Sequence, residues 1–160
     1  MTGGDAGAER AWHAVPFVLW GFVGIIGGGL VAAVTHPLGW LEHGSWAAAY
    51  LVLVVGVAQL GLGVGQAWLA DRLPGRGRVA LELVTWNAGS ALVVLGTLVA
   101  HPWVVDLGGV LLVVALAAYL LALCGQSGSP RWARWTYRLL VLVVLVSVPV
   151  GLVLSTVRHP

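Results

Sequence analysis

The stretch YLVLVVGVAQLGLGVG, residues 50–65, decides the fold class because it is long and almost entirely apolar. A strand of a membrane barrel would alternate polar and apolar side chains, and this stretch has no such alternation. A helix is the remaining way to satisfy the backbone hydrogen bonds of a segment in hydrocarbon. The stretch therefore predicts a transmembrane helix.

The composition of the whole chain is that of an integral membrane protein. Of the 160 residues, 59% are hydrophobic and 9% are charged, and the mean hydropathy is +0.95. A run of about 18 or more apolar residues is long enough to cross about 30 Å of hydrocarbon as a helix. Such runs predict one all-α membrane domain over residues 1–160, a single bundle of five transmembrane helices with spans at 15–35, 45–70, 79–100, 103–124 and 139–157.

The arginines predict how the chain crosses the membrane. On this span assignment, all but Arg158 fall on one side: Arg10, Arg72, Arg76, Arg78, Arg131, Arg134 and Arg138. The positive-inside rule then places the N-terminus in the cytoplasm and the C-terminus outside, in a plasma (inner) membrane. The absence of lysine from the sequence is typical of a GC-rich bacterial genome. The expected partners are the lipid bilayer and other membrane subunits or further copies of this chain, without nucleic acid.

Two His-Pro pairs suggest an internal repeat. His101-Pro102 follows His36-Pro37 by 65 positions, and Trp86 of span three follows Trp20 of span one by 66. Duplication of a two-helix unit would give both offsets, as a parallel repeat of spans one and two in spans three and four, with the fifth helix added. The one-residue difference rotates one feature by about 100° around the helix, so the repeat is approximate.

The predicted outer face gathers three imidazoles and two carboxylates: His36, Glu42, His43, His101 and Asp106. Such groups ligate copper or zinc, and two facing imidazoles can hold a haem iron. We expect His36 and His101 to bind the cofactor, with the other three groups in support. The alternative is structural, because the residue before a proline is pushed out of helical geometry and acids favour the first turn of a helix. Haem, copper and the absence of any cofactor all stay open.

The third span is the most polar of the five. Its polar groups lie within an arc of about 100°, or slightly beyond it: Glu82, Trp86, Asn87, Ser90, Thr97 and His101. An acid inside a span is a candidate proton or cation relay. The alternatives are an interfacial acid stabilised near the helix start for Glu82, and hydrogen bonds between helices for Asn87, Ser90 and Thr97.

The second span carries two amides that must face protein. Gln59 and Gln66 are seven residues apart on one helix face, and an unpaired amide in lipid costs several kcal/mol. Contacts within the bundle and the lining of a ligand pocket are both interpretations of these residues. Small residues predict seams of close helix approach at Gly21, Gly24 and Gly28 in span one, and at Gly61 and Gly65 in span two.

These patterns support three functions. The first is a haem- or copper-binding, redox-linked subunit with its ligands on the outer face. The second is a non-catalytic accessory or assembly subunit of a larger membrane complex, and the third is a small transporter or lipid-binding protein that uses the polar arc of span three. The sequence has no nucleotide-binding loop, nucleophile elbow, HExxH or CxxC motif, so it gives no support for a recognised enzyme chemistry.

Overall fold

The computed structural model describes the backbone of residues 3–38, 44–123 and 130–157, and the side chains of residues 7–35, 44–123 and 130–146. The regular elements in these ranges are all helical, which confirms the all-α class. They are α1 (Gly3–Leu38), α2 (Gly44–Tyr50), a π-helical segment (Leu51–Ala58), α3 (Gln59–Leu69), α4 (Arg76–Leu98), α5 (Pro102–Ala122) and α6 (Arg131–Val157).

Within the described residues, four helical stretches are long and apolar enough to cross a membrane: Gly7–Thr35, Gly44–Leu69, Arg76–Leu98 and Pro102–Ala122. They coincide with the first four predicted spans, as expected for a membrane protein whose apolar helices contact lipid. The helix α6 covers the fifth predicted span, and its crossing of the membrane stays a prediction.

The chain divides into two compact units, Met1–Trp68 and Leu69–Pro160. In the first unit, α1 packs against the helix that α2, the π-helical segment and α3 form together. Gly21 faces Leu60, and Gly28 faces Val52. Residue numbers rise along one helix as they fall along the other, so the first unit is an antiparallel hairpin.

The seam of this hairpin requires glycine where backbones meet. A Cβ atom on Gly24 would lie 2.8 Å from the backbone nitrogen of Gly56, which cannot move aside. The predicted glycines of span one lie on this seam, but in the second helix it runs through Gly56 and Gly63, and the predicted Gly61 is exposed. Gly56 belongs to the π-helical segment, whose wider i→i+5 turns change which residues share a helix face. The prediction from the sequence assumed the rotation of an α-helix.

Arg10 links the N-terminal part of α1 to the C-terminal end of α3. Its guanidinium Nη1 donates hydrogen bonds to the carbonyl oxygens of Ala67 at 3.2 Å and Trp68 at 3.1 Å. These carbonyls belong to the last turn of α3, where a cation complements the negative end of the helix dipole. Arg10 therefore lies at the end of α3 that leads into the arginine-containing loop before α4.

In the second unit, α4 and α5 form another antiparallel hairpin, and α6 packs against α5. The crossing point of α4 and α5 lies at Gly89 and Gly108. A Cβ on Gly89 would lie 2.8 Å from the carbonyl oxygen of Gly108, and a Cβ on Gly108 would lie 2.7 Å from that of Gly89. The two backbones are in direct contact here, as in other membrane helix pairs with small residues at the interface.

The turn between α4 and α5 gives the second His-Pro pair a structural role. The backbone N–H of His101 donates to the Gly96 carbonyl at 2.9 Å, and that of Ala100 to the Thr97 carbonyl at 3.4 Å. These bonds form a Schellman motif in which Ala100 takes a left-handed φ of 54°. His101 is then the extended N-cap of α5, and Pro102 occupies its first turn.

The first His-Pro pair lies in a different backbone setting. His36 and Pro37 are both within α1, which continues to Leu38. The departure from helical geometry expected before a proline therefore does not occur at His36, although the described part of the helix ends one residue after Pro37. The two pairs are alike in sequence and different in secondary structure.

Candidate functional site

A buried polar cluster on α4 is the strongest candidate site. Glu82, Trp86 and Ser90 are spaced four residues apart, so they share one helix face, with a rise of about 6 Å between neighbours. Their exposed fractions are 0%, 0% and 1%. Tyr119 of α5 and Tyr137 of α6 are buried with them, and the five residues are called the Glu82 cluster below.

The close approach of α5 explains why this face of α4 is buried. Gly89 lies between Trp86 and Ser90, and it allows the α5 backbone to touch α4 at Gly108. A larger residue at Gly89 would hold α5 away from the two flanking side chains. The close contact of Gly89 with Gly108 therefore allows α5 to cover the side chains of Trp86 and Ser90.

The aromatic rings of Trp86 and Tyr119 are the best-defined contact in the cluster. Their centroids are 6.3 Å apart and their planes lie at 84°, an edge-to-face pair. Pairs of this geometry stabilise a fold by about 0.5–1.5 kcal/mol beyond the area they bury. The pair fixes the orientation of the indole plane relative to the Tyr119 ring.

The Glu82 carboxylate lies within electrostatic range of both tyrosine hydroxyls, Tyr119 and Tyr137. Tyr137 lies just before the predicted fifth span, and burial, followed by the Glu82 charge, raises the pKa of its hydroxyl well above the ordinary value. The hydroxyl therefore stays protonated and uncharged at neutral pH. The cluster combines one acid with neutral aromatic donors.

The indole Nε1 of Trp86 and the hydroxyl Oγ of Ser90 are among the buried polar atoms of the cluster that have no hydrogen-bond partner in the residues that the structure describes. An unsatisfied buried donor costs about 1–3 kcal/mol, and an indole N–H can only donate. Each of these two atoms would be stabilised by a hydrogen bond to a water molecule or to a ligand that presents an acceptor.

The other polar residues of span three bond to their own helix. Asn87 Nδ2 donates to the Leu83 carbonyl, and Thr97 Oγ1 donates to the Val93 carbonyl, both at 2.8 Å. Both bonds lie within α4, and hydrogen bonds of Asn87 and Thr97 to another helix stay a prediction. His101 is exposed at the end of the hairpin, with its ring centroid 6.5 Å from that of Trp103. The buried part of the predicted polar arc is thus Glu82, Trp86 and Ser90.

The amides of the first unit are both buried, with exposed fractions of 0% for Gln59 and 1% for Gln66. Gln59 directly follows the π-helical segment. Neither its Nε2 nor its Oε1 has a hydrogen-bond partner within the described residues, whereas Gln66 does make a polar or electrostatic interaction. The two amides therefore differ, although the sequence treats them alike.

Most of the predicted metal ligands fall where the structure gives no side-chain position. Glu42, His43 and the side chain of His36 lie outside the described residues, and His101 and Asp106 are exposed near the start of α5. Within the described residues, no group of three or more His, Cys, Asp or Glu side chains could hold a metal ion. The haem or copper site stays a prediction.

The sequence alone did not single out Tyr119 and Tyr137. The available signal was a lone tyrosine within the apolar run AAYLLALC, residues 117–124, and another just before the fifth span. A buried tyrosine hydroxyl usually requires a polar neighbour, so each was a candidate partner for the acid of span three.

No protein-family model, curated protein or solved structure matches this chain.

Proposed function

We propose that this chain is a small membrane transporter whose second unit binds a proton or cation at Glu82. The observation that carries the proposal is a fully buried carboxylate on a membrane-length helix, beside two buried tyrosines. Ionisable groups inside membrane helices are costly, and where they occur they usually belong to ion or proton pathways.

The burial of Glu82 supports this function over a purely interfacial role. An acid that only complements the helix start would sit near water or lipid headgroups, as the exposed Arg76 and Arg78 do on the first turn of α4. Glu82 lies one turn further into the helix and is 0% exposed. Burial in a low-dielectric interior disfavours an uncompensated carboxylate charge, so it favours neutralisation of Glu82 by a bound proton or cation.

The orientation belongs to the same proposal. A cytoplasmic N-terminus in the inner membrane places Glu82 toward the cytoplasmic end of α4 and Ser90 about 12 Å further in. The contact of Arg10 with the last turn of α3 supports this orientation, because it puts Arg10 at the end of the first hairpin from which the chain continues to Arg72. A chain of this size is expected to form its pathway as an oligomer.

Proteoliposomes containing only this chain test the function. With a pH-sensitive dye inside and a membrane potential applied, the wild type should acidify or alkalinise the lumen faster than empty vesicles. Glu82→Gln should reduce the flux to the empty-vesicle rate. Glu9→Gln changes an exposed acid of α1 and should keep the wild-type rate.

An accessory or assembly subunit gives a different result. The purified chain would then carry no flux above empty vesicles, and Glu82→Gln would change nothing. That outcome would contradict the transporter proposal.

A further inference from the structure

We propose that the Glu82 cluster binds a small organic ammonium ion that also carries a hydrogen-bond acceptor, in competition with the proton. The inference rests on the proposed function and names its substrate class. It requires two chemical features in one ligand, a cationic nitrogen and an acceptor oxygen. The cationic nitrogen would bind beside Glu82 and the aromatic rings, and the acceptor oxygen would bind to Trp86 and Ser90.

The acceptor follows from Trp86 and Ser90. Both are at least 99% buried on the basis of exposed fractions of 0% and 1%, and Trp86 Nε1 and Ser90 Oγ have no hydrogen-bond partner in the described part of the chain. An indole N–H only donates, so its partner must present a lone pair. An ammonium group has only donors or methyl groups and cannot fill this role.

The cationic nitrogen follows from Glu82 and the rings around it. The carboxylate supplies negative charge, and Trp86, Tyr119 and Tyr137 supply aromatic faces that attract cations through their quadrupoles. Trp86 and Tyr119 form an edge-to-face pair with their ring planes at 84°. Aromatic rings beside a carboxylate favour an organic cation over a strongly hydrated metal ion.

Simpler occupants satisfy only part of the cluster. A proton neutralises Glu82 but offers no acceptor to the indole. A water molecule can bond Trp86 and Ser90 but brings no charge. An ammonium ion with an acceptor does both, and Trp86 and Ser90 follow Glu82 by about 6 Å and 12 Å along the axis of α4.

The ionisable groups around Glu82 come from three helices. Tyr119 of α5 and Tyr137 of α6 face it. Arg78, one turn earlier on α4, is exposed, and Arg134 and Arg138 flank Tyr137 on α6. A quaternary ammonium probe keeps its charge at every pH, so a pH dependence of its binding in the acid range reports protonation of the protein carboxylate.

Two quaternary probes test the inference on the full chain in nanodiscs by isothermal titration calorimetry. Acetylcholine carries an ester acceptor, and n-pentyltrimethylammonium has the same chain length without one. Acetylcholine should bind at least about tenfold more tightly, the scale of one buried hydrogen bond. Its affinity should fall as the pH is lowered, by up to about tenfold per pH unit, because one proton competes for the carboxylate.

Variants separate the two features. Glu82→Gln should abolish binding of both probes. Trp86→Phe keeps a ring but removes the indole N–H, so the affinity ratio between the probes should fall from about tenfold toward one. Trp20→Phe, a half-exposed tryptophan in α1, is the matched control and should keep the wild-type ratio. Thermal melting of each variant establishes that it is folded.

Equal affinity of the wild type for the two probes would overturn the inference, and so would the absence of binding to either. Wild-type protein that binds neither probe but still carries the Glu82-dependent proton flux would refute the substrate class and leave the transporter proposal standing. Loss of both the flux and the binding would refute both.

Discussion

In the first unit, α1 packs on its partner helix through Gly24 and Gly56, whereas in the second unit α4 packs on α5 through Gly89 and Gly108. Both hairpins thus use contact between glycine backbones. The polar groups that they bury differ. The first unit buries neutral amides, and the second buries a carboxylate with two tyrosines. In the described part of the chain, the same packing device therefore surrounds neutral amides in the first unit and an ionisable carboxyl group in the second.

The two tryptophans that suggested the repeat show where the units diverge. Trp20 is 50% exposed on α1, and Trp86 is 0% exposed on α4. The offsets of the Trp and His-Pro pairs differ by one residue, which is a rotation of about 100° on an α-helix. Duplication of a two-helix unit is compatible with this difference. The corresponding residues Trp20 and Trp86, however, do not occupy equivalent positions on their helices.

The largest expected effect concerns the haem or copper hypothesis, which would move the functional site away from the buried cluster. If His36 and His101 are ligands, His36→Ala and His101→Ala should each remove the bound metal or the visible absorbance completely. His13→Ala should leave it intact. If neither histidine is a ligand, all three variants should keep the same metal content and differ by no more than about 1 kcal/mol in stability.

The next largest effects are expected from substitutions at the two glycine crossings. Gly89→Ala should lower the free energy of unfolding by about 1–3 kcal/mol, because its Cβ would press on the Gly108 carbonyl. Gly24→Ala should cost a similar amount in the first unit. Gly77→Ala on α4 and Gly27→Ala on α1 meet open space and serve as controls in detergent unfolding experiments. Unequal costs at the two crossings would show that the hairpins pack differently.

The sequence predicted the helices better than the faces that they bury. Apolar length was enough to locate four spans, because it follows directly from the thickness of the bilayer. The seam at Gly56 depended on a π-helical segment, and the contact of Trp86 with Tyr119 joins residues 33 positions apart. Helical periodicity places residues on a common face, but it does not say which helix that face will meet.

The two buried amides should respond in opposite ways to removal. Gln59→Leu removes polar atoms that lack hydrogen bonds to described residues, so it should leave stability unchanged or raise it by about 1 kcal/mol. Gln66→Leu removes an interacting amide and should lower stability by about 1–3 kcal/mol. Chemical denaturation in detergent measures both. Equal losses for the two variants would mean that Gln59 is hydrogen bonded.

The smallest effect is expected at the turn of the second hairpin. Ala100 has a positive φ, which costs an L residue about 1–2 kcal/mol. Ala100→Gly relieves this cost but loses more chain entropy on folding, so the net gain in stability should be about 0.5–1 kcal/mol. A loss of stability on this substitution would argue against the left-handed conformation at residue 100.

Measuring the protonation of Glu82 is the most direct test of the difference between the two units. Infrared difference spectroscopy during an acid-base titration detects the carbonyl stretch of a protonated carboxyl group. The wild type in nanodiscs should show one reversible band at the high frequency of a buried carboxyl, retained in Glu9→Gln and lost in Glu82→Gln. A band that persists in Glu82→Gln, or its absence from the wild type across the titration, would contradict proton exchange at Glu82.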